Sequence, residues 1–194
     1  MRVLVACEYS GIVREAFRKR GHDAWSCDLL PTDIPGQHIQ GDILNNDRLE
    51  DFWDILIAHP PCTYLSNAGA RFLYPKGKLN EDRFEQGFKA RQFFLKLFNA
   101  PINKICIENP IPSKIFLLPK YSQIIQPYYF GDMVQKKTCL WLKNLPKLTY
   151  KTPEGKPQST KIAGNWFNKG GKDRQKNRAK TFQGIADAMA EQWG

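Results

Sequence analysis

The sequence predicts an α/β domain built on a largely parallel sheet, and three observations carry that expectation. Short β-type runs alternate with helical or loop segments through the first third of the chain. The composition is ordinary for a globular protein, at 42% hydrophobic, 12% aromatic and 25% charged residues, which excludes disordered, collagen-like and coiled-coil classes. A length of 194 residues suffices for a single domain with a sizeable core.

Each element has its own signal. Residues 3–7 read as the first strand. Helix one follows Ser10-Gly11 with Ser10 as its cap, and it buries Val13, Ala16 and Phe17 before Gly21 stops it. Residues 23–27 and 54–58 are further strands. A long helix is predicted from Phe84, Phe88, Arg91, Leu95 and Phe98, spaced by four, three, four and three residues and ended by Asn99 and Pro101. Strands follow at 104–108 and at 138–142, the latter bounded by Asn144 and Pro146. Residues 147–171, rich in Lys, Pro, Gly, Thr and Asn, read as a short irregular basic insertion within the single 1–194 domain. Residues 179–193 close the chain as a helix with Phe182, Ile185, Ala186, Met189 and Trp193 on its core face.

Several function classes fall away. No window approaches the ~18 apolar residues a membrane helix needs, and the chain opens without a basic leader and cleavage site. A cytoplasmic protein with no membrane partner is expected. The five cysteines, Cys7, Cys27, Cys62, Cys106 and Cys139, contain no Cys-x-x-Cys pair, so neither a disulfide framework nor a zinc ribbon is suggested. The formal net charge is +10, and residues 136–180 hold 13 basic residues against two acidic ones, Glu154 and Asp173. Such a segment is the footprint of a polyanion partner: DNA, another nucleic acid or a nucleotide. Isolated lysines serve equally as a solvated surface. Trp141, Trp166 and Phe167 within the stretch suit either base stacking or the core.

In parallel α/β sheets ligands bind beyond the carboxyl ends of the strands, so chemistry is sought there. The first strand is followed by Glu8-Tyr9-Ser10-Gly11, a small turn leading into a helix N-terminus. The second is followed by Asp28, suited to two ribose hydroxyls of a nucleotide-type ligand or to a plain turn. Asp42 follows the presumed third strand position and suits an adenine amino group. The fourth strand runs into His59-Pro60-Pro61-Cys62-Thr63-Tyr64-Leu65-Ser66-Asn67-Ala68-Gly69. Two prolines fix the backbone just before Cys62, which places its sulfur like a nucleophile awaiting a basic neighbour. The fifth strand ends in Glu108-Asn109-Pro110, setting a carboxyl beside that thiol, where burial favours its protonated form. Taken alone, each reads more readily as a buried cysteine or a capping acid.

Together these segments resemble the DNA cytosine carbon-5 methyltransferases. Pro60, Pro61, Cys62, Ser66, Ala68 and Gly69 match that family's Pro-Pro-Cys-x-x-x-Ser-x-Ala-Gly segment position by position. Tyr9-Ser10-Gly11 is similar to its first cofactor motif, with Ile12 and Val13 in place of the later glycines. Glu108-Asn109-Pro110 is similar to its Glu-Asn-Val motif, with proline departing from it. Over its whole length the chain resembles small phage- and prophage-encoded members of that family, from Ala6-Cys7-Glu8-Tyr9-Ser10-Gly11 to the closing Gly184-Ile185-Ala186-Asp187-Ala188-Met189-Ala190.

The resemblance implies a Rossmann-like S-adenosylmethionine-dependent methyltransferase fold, a mostly parallel sheet with helices on both faces and a reduced or absent target-recognition domain. It also implies roles. Cys62 adds to carbon 6 of cytosine, and Glu108 interacts with ring nitrogen 3. Pro61, Ser66, Gly69, Asn109, Lys136 and Lys137 contact the substrate. Tyr9, Ser10, Gly11, Asp28, Asp42 and Pro60 contact S-adenosylmethionine. No metal is called for. A duplex substrate has to present a flipped base, since stacked ring carbons are out of reach. Lys136 and Lys137 stand where the family carries arginines, and lysine is the poorer bidentate partner. A non-catalytic nucleic-acid-binding or decoy protein, and a modifier of free nucleotides or single strands, are the alternative readings.

Overall fold

The computed structural model describes residues 1–151 and 174–194. The greater part of the predicted insertion, residues 152–171, therefore lies outside the described residues. Seven strands form one sheet in the order β3-β2-β1-β4-β5-β7-β6. They are β1 (Arg2–Ala6), β2 (Asp23–Asp28), β3 (His38–Gln40), β4 (Ile55–Ala58), β5 (Lys104–Pro110), β6 (Gln123–Ile125) and β7 (Thr138–Lys143). Four of the six neighbouring pairs are parallel, and β7 runs antiparallel to β5 and to β6. The order reverses between β1 and β4, which is where an open α/β sheet leaves its crevice.

Residues 3–6 of β1 and all of β4 are apolar because both faces of the sheet are covered, and their residues alternate between two cores. Val3, Val5, Ile55 and Ile57 meet α1 (Ile12–Arg18) and α5 (Gln183–Trp193) through Val13, Phe17, Ile185, Met189 and Trp193. Leu4, Leu56, Ile105 and Ile107 meet α3 (Glu81–Phe98) through Phe94 and Leu97, together with Leu65, Leu73 and Phe116. Two short helices, α2 (Asn67–Ala70) and α4 (Arg174–Ala179), complete the set.

Three local expectations need correction. Ser10 is not the cap of α1: the N-cap position is Gly11, and the buried Glu8 carboxylate accepts from the amides of Val13 (2.7 Å) and Arg14 (3.2 Å). Cys7, in the left-handed region at φ 58°, turns the chain so that Glu8 folds beneath the helix. On α3 the predicted stripe is not the buried one, since Phe84 and Phe88 are exposed while Gly87, Phe94 and Leu97 are buried. Gly87 decides this: a Cβ there would stand 2.0 Å from the Phe116 ring, so the glycine lets that ring lie against the helix. The closing helix starts at Gln183, not 179, because Phe182 is extended and separates α4 from α5.

Candidate active site at the carboxyl ends of β4 and β5

The parallel ladder of β4 and β5 ends at the pair Ala58 and Ile107, so Glu108 is the first β5 residue beyond β4. β7 holds it on one flank, opposite Leu140. The other flank is filled by the turn leaving β4: His59 Nδ1 donates to Glu108 Oε2 at 2.8 Å, with side-chain exposures of only 7% and 13%. The two exits are then laced together. The Asn109 side-chain amide donates to Pro60 O (3.1 Å), the Asn67 amide to Ile111 O (2.9 Å) and the Ser113 amide to Leu65 O (2.7 Å). Cys62 sits inside this lacing, half-buried, its carbonyl closing the turn by accepting from the amides of Leu65 and Ser66.

The electrostatics of the pair follow from its neighbours. Burial raises the Cys62 thiol above its ordinary value and the Glu108 charge raises it further, while Lys136 and Arg178 pull the other way. Burial also works to raise Glu108, but the hydrogen bond and charge of His59, with Lys136, outweigh it and hold the carboxyl below its ordinary value. The sequence-based expectation of a protonated Glu108 is corrected accordingly: the carboxyl has a partner that keeps it ionised. The site at rest is therefore a neutral thiol beside a carboxylate, with two cations within electrostatic reach.

The remaining loop residues shape the turn. Pro60 is buried and Pro61 exposed at the lip. Ser66 Oγ accepts from the Gly69 amide (3.2 Å) and so caps α2. Gly69 comes so close to Thr63 that a Cβ would stand 2.5 Å from its carbonyl oxygen. Only glycine leaves that approach open.

A second group gathers at the ends of β1 and β2. Asp28 and Asp42 both act on the half-buried Cys7, whose thiol is held far above its ordinary value by burial first and by these charges next. Asp28 Oδ1 accepts from the Leu30 amide and Asp42 Oδ1 from the Leu44 amide, so each carboxylate is fixed within its own turn. Ser10 donates to Glu8 Oε1 (3.2 Å), and Gly11 starts α1 in the left-handed region at φ 73°. Tyr9 lies under α4: its hydroxyl donates to Lys176 O (2.5 Å), and the ammonium groups of Lys176 and Lys180 sit 5.0 and 5.9 Å from its ring centre.

The two predicted lysines separate. Lys136 turns toward the site, donating to Arg178 O (3.1 Å) and acting on both Cys62 and Glu108. Lys137 is exposed and acts instead on Tyr129. Two functional candidates were missed in the sequence, His59 and Glu8. An ionisable residue at the exit of an apolar run was the available signal: His59 directly follows β4, and Glu8 stands two residues beyond β1. His59 acts electrostatically on both Glu8 and Glu108, and its Nε2, though buried, has no hydrogen-bond partner among the described residues. A groove of about 990 Å³ between residues 43–50 and α3, lined by Leu44, Arg48 and Phe93 among others, contains none of these residues.

No protein-family model matches the chain, and no curated protein matches it. Among solved structures it is similar to that of a candidate DNA modification methyltransferase encoded within a prophage of E. coli, at 13% identity and a TM-score of 0.45. The match covers 73% of this chain and 46% of that one, so this chain spans less than half of that protein's length.

Proposed function

We propose that the chain is an S-adenosylmethionine-dependent methyltransferase that modifies carbon 5 of cytosine in a polynucleotide through a covalent adduct on Cys62. The observation that carries the reading is the lacing of the β4 and β5 exits, which keeps Cys62 and Glu108 side by side and coupled by charge. The sulfur comes from a Pro-Pro-Cys turn and the carboxyl from a Glu-Asn pair, the two groups this reaction needs.

The residues at β1 and β2 fit that cofactor's chemistry. Glu8 already fills the N-terminus of α1 with a carboxylate, so the helix end that receives a phosphate in dinucleotide sites is occupied. Asp28 and Asp42 lie beside the Cys7 turn, which suits a cationic ligand bearing a ribose and an adenine, while Glu8 stays buried beneath α1, where burial raises its carboxyl above its ordinary value. Asp28 is the candidate for the ribose and Asp42 for the adenine, with the turn 9–11 beside them. Bound there, S-adenosylmethionine supplies an electrophilic methyl group.

The chain's own residues activate the base. Cys62 Sγ bonds to carbon 6, and the displaced ring electrons make carbon 5 nucleophilic. The Cys62 proton passes to the Glu108 carboxylate as that bond forms, and Glu108 delivers it to ring nitrogen 3, neutralising the charge that builds on the ring, and takes it back as the sulfur leaves. Once carbon 5 is methylated, loss of its proton restores the double bond and expels the thiolate. Lys136 and Arg178 assist by favouring the charged sulfur.

A cytosine oligonucleotide carrying 5-fluorocytosine, which has no carbon-5 proton to lose, is expected to trap the adduct in the presence of S-adenosylmethionine. Denaturing electrophoresis and mass spectrometry locate the link on Cys62, and Cys62→Ala abolishes it. No adduct with duplex, single strand or nucleotide would overturn the reading. Nucleic-acid binding that survives Cys62→Ala with no methyl donor bound would favour a binding or decoy role.

A further inference from the structure

The segment between the Cys62 turn and α3 carries features the proposed chemistry does not use. Residues 62–80 include Arg71, Lys76 and Lys78 and no acidic residue. Leu73 is buried and anchors the segment, while its neighbours Phe72 and Tyr74 point away from the core at 52% and 51% exposure. Phe84 and Phe88 are two further exposed rings, at the start of α3.

Cations are built into this surface. The Arg71 guanidinium lies 4.6 Å from the Phe72 ring centre, and that of Arg83 lies 4.9 Å from Tyr64 and 5.4 Å from Phe72. Arg83 also donates to Thr63 O (2.9 Å) and Gly69 O (3.3 Å), so it fastens the aromatic cluster to the residue next to Cys62. Arg71, Lys76 and Lys78 are exposed and form no ion pair among the described residues.

Exposed rings held among cations in this way mark a place where something docks. Two chemistries are joined in it, ring faces and unpaired cations, and a single-stranded polynucleotide matches both, since its bases present ring faces and its backbone presents phosphates. A duplex offers phosphates but keeps its ring faces stacked. We propose that Phe72 and Tyr74 form a stacking ledge for an extended single strand, with Arg71, Lys76 and Lys78 along its phosphates, leading the strand to Cys62. The proposal rests on the reading of this chain as acting on polynucleotide, and it names the strand form.

The test is fluorescence anisotropy with a labelled thymidine homo-oligonucleotide of about twenty residues, against a duplex of equal length. Thymine already carries a carbon-5 methyl group, so binding is measured apart from catalysis. Phe72→Ala and Tyr74→Ala are each expected to weaken single-strand binding roughly tenfold, with melting temperature and salt slope unchanged. The Lys76→Gln, Lys78→Gln double variant is expected to lower the slope of log affinity against log salt by about 1.4. Wild-type affinity in both aromatic variants would overturn the ledge. So would equal weakening on duplex and single strand, or a protein dimer that Phe72→Ala dissolves. Ring-dependent single-strand binding without any cytosine adduct would uphold the ledge and sink only the methyl-transfer reading.

Discussion

His59 Nδ1 and Glu108 Oε2 are 2.8 Å apart at the point where β5 outruns β4, and neither side chain has much water to turn to. His59 is a positioning residue in this arrangement, because it holds the Glu108 carboxyl in one orientation and one charge state. Its removal would leave a buried carboxylate unpaired, a change that costs about 3 kcal/mol in comparable settings. Burial then raises the Glu108 carboxyl above its ordinary value. A raised acid adds stability at low pH and loses it as pH rises through its folded value. His59→Ala is therefore expected to lose stability as pH rises through that raised value, a slope the wild type lacks, where Glu108 is already ionised. Urea denaturation at a series of pH values checks it, and equal slopes in the two proteins would dismiss the coupling.

The Cys62 thiol is held up first by burial and next by the Glu108 charge, with Lys136 opposing. Charge-neutralising variants must then move its reactivity in opposite directions. Glu108→Gln is expected to speed alkylation of Cys62 by iodoacetamide at pH 8 about threefold or more, since each unit of lowered thiol pKa gives a tenfold larger thiolate fraction. Lys136→Ala is expected to slow it. Peptide mass spectrometry reads Cys62 separately from the buried Cys27, Cys106 and Cys139. A shift in the same direction for both variants would contradict the assigned neighbours.

Much of this arrangement was legible in the sequence, and the reasons for the rest are specific. Short β-type runs, such as residues 3–6 and 55–58, alternating with helical segments announced the largely parallel sheet, whose two faces are each covered by a core. β6 was not announced, and β3 was presumed only as a position before Asp42, because three residues each are too few to establish a period. The α3 face was misread because periodicity counts large apolar residues, whereas Gly87 and its close approach to Phe116 chose the buried side. Cys62 and Glu108 came from a motif at fixed spacing. His59 and Glu8 did not, because their roles depend on β1 and β4 being neighbours, a fact of topology that no local window contains.

Gly69 gives the Cys62 turn its shape through contact with a main-chain atom. An added Cβ would stand 2.5 Å from Thr63 O, and a carbonyl cannot move aside as a flexible side chain can. Gly69→Ala must therefore push α2 and the turn apart. Overpacking of this order costs about 1–3 kcal/mol, or a melting temperature lower by about 2–12 °C in a chain of this size. Adduct formation is expected to fall by more than that stability loss explains at 20 °C, where the protein stays folded. A variant that melts low yet reacts at the wild-type rate would show that the turn tolerates displacement.

α4 is six residues long, too short to persist without tertiary support, and its tethers can be named. Asp33 accepts ion pairs from Lys176 (3.1 Å) and Lys180 (2.8 Å), and Tyr9 and Lys136 donate to the carbonyls of Lys176 and Arg178. Burial alone would raise the Asp33 carboxyl, but the two lysines hold it below its ordinary value. A lowered acid contributes stability above its unfolded value and loses it as pH falls through the folded one, so the tether is expected to loosen below pH about 4. Because these pairs are partly exposed, Asp33→Asn is expected to cost the whole fold only about 1 kcal/mol. The local effect is larger. Hydrogen exchange of residues 174–179 should accelerate in the variant at pH 7 while the amides of β1 and β4 keep their protection. Unchanged exchange in α4 would mean that the Tyr9 and Lys136 contacts hold it unaided.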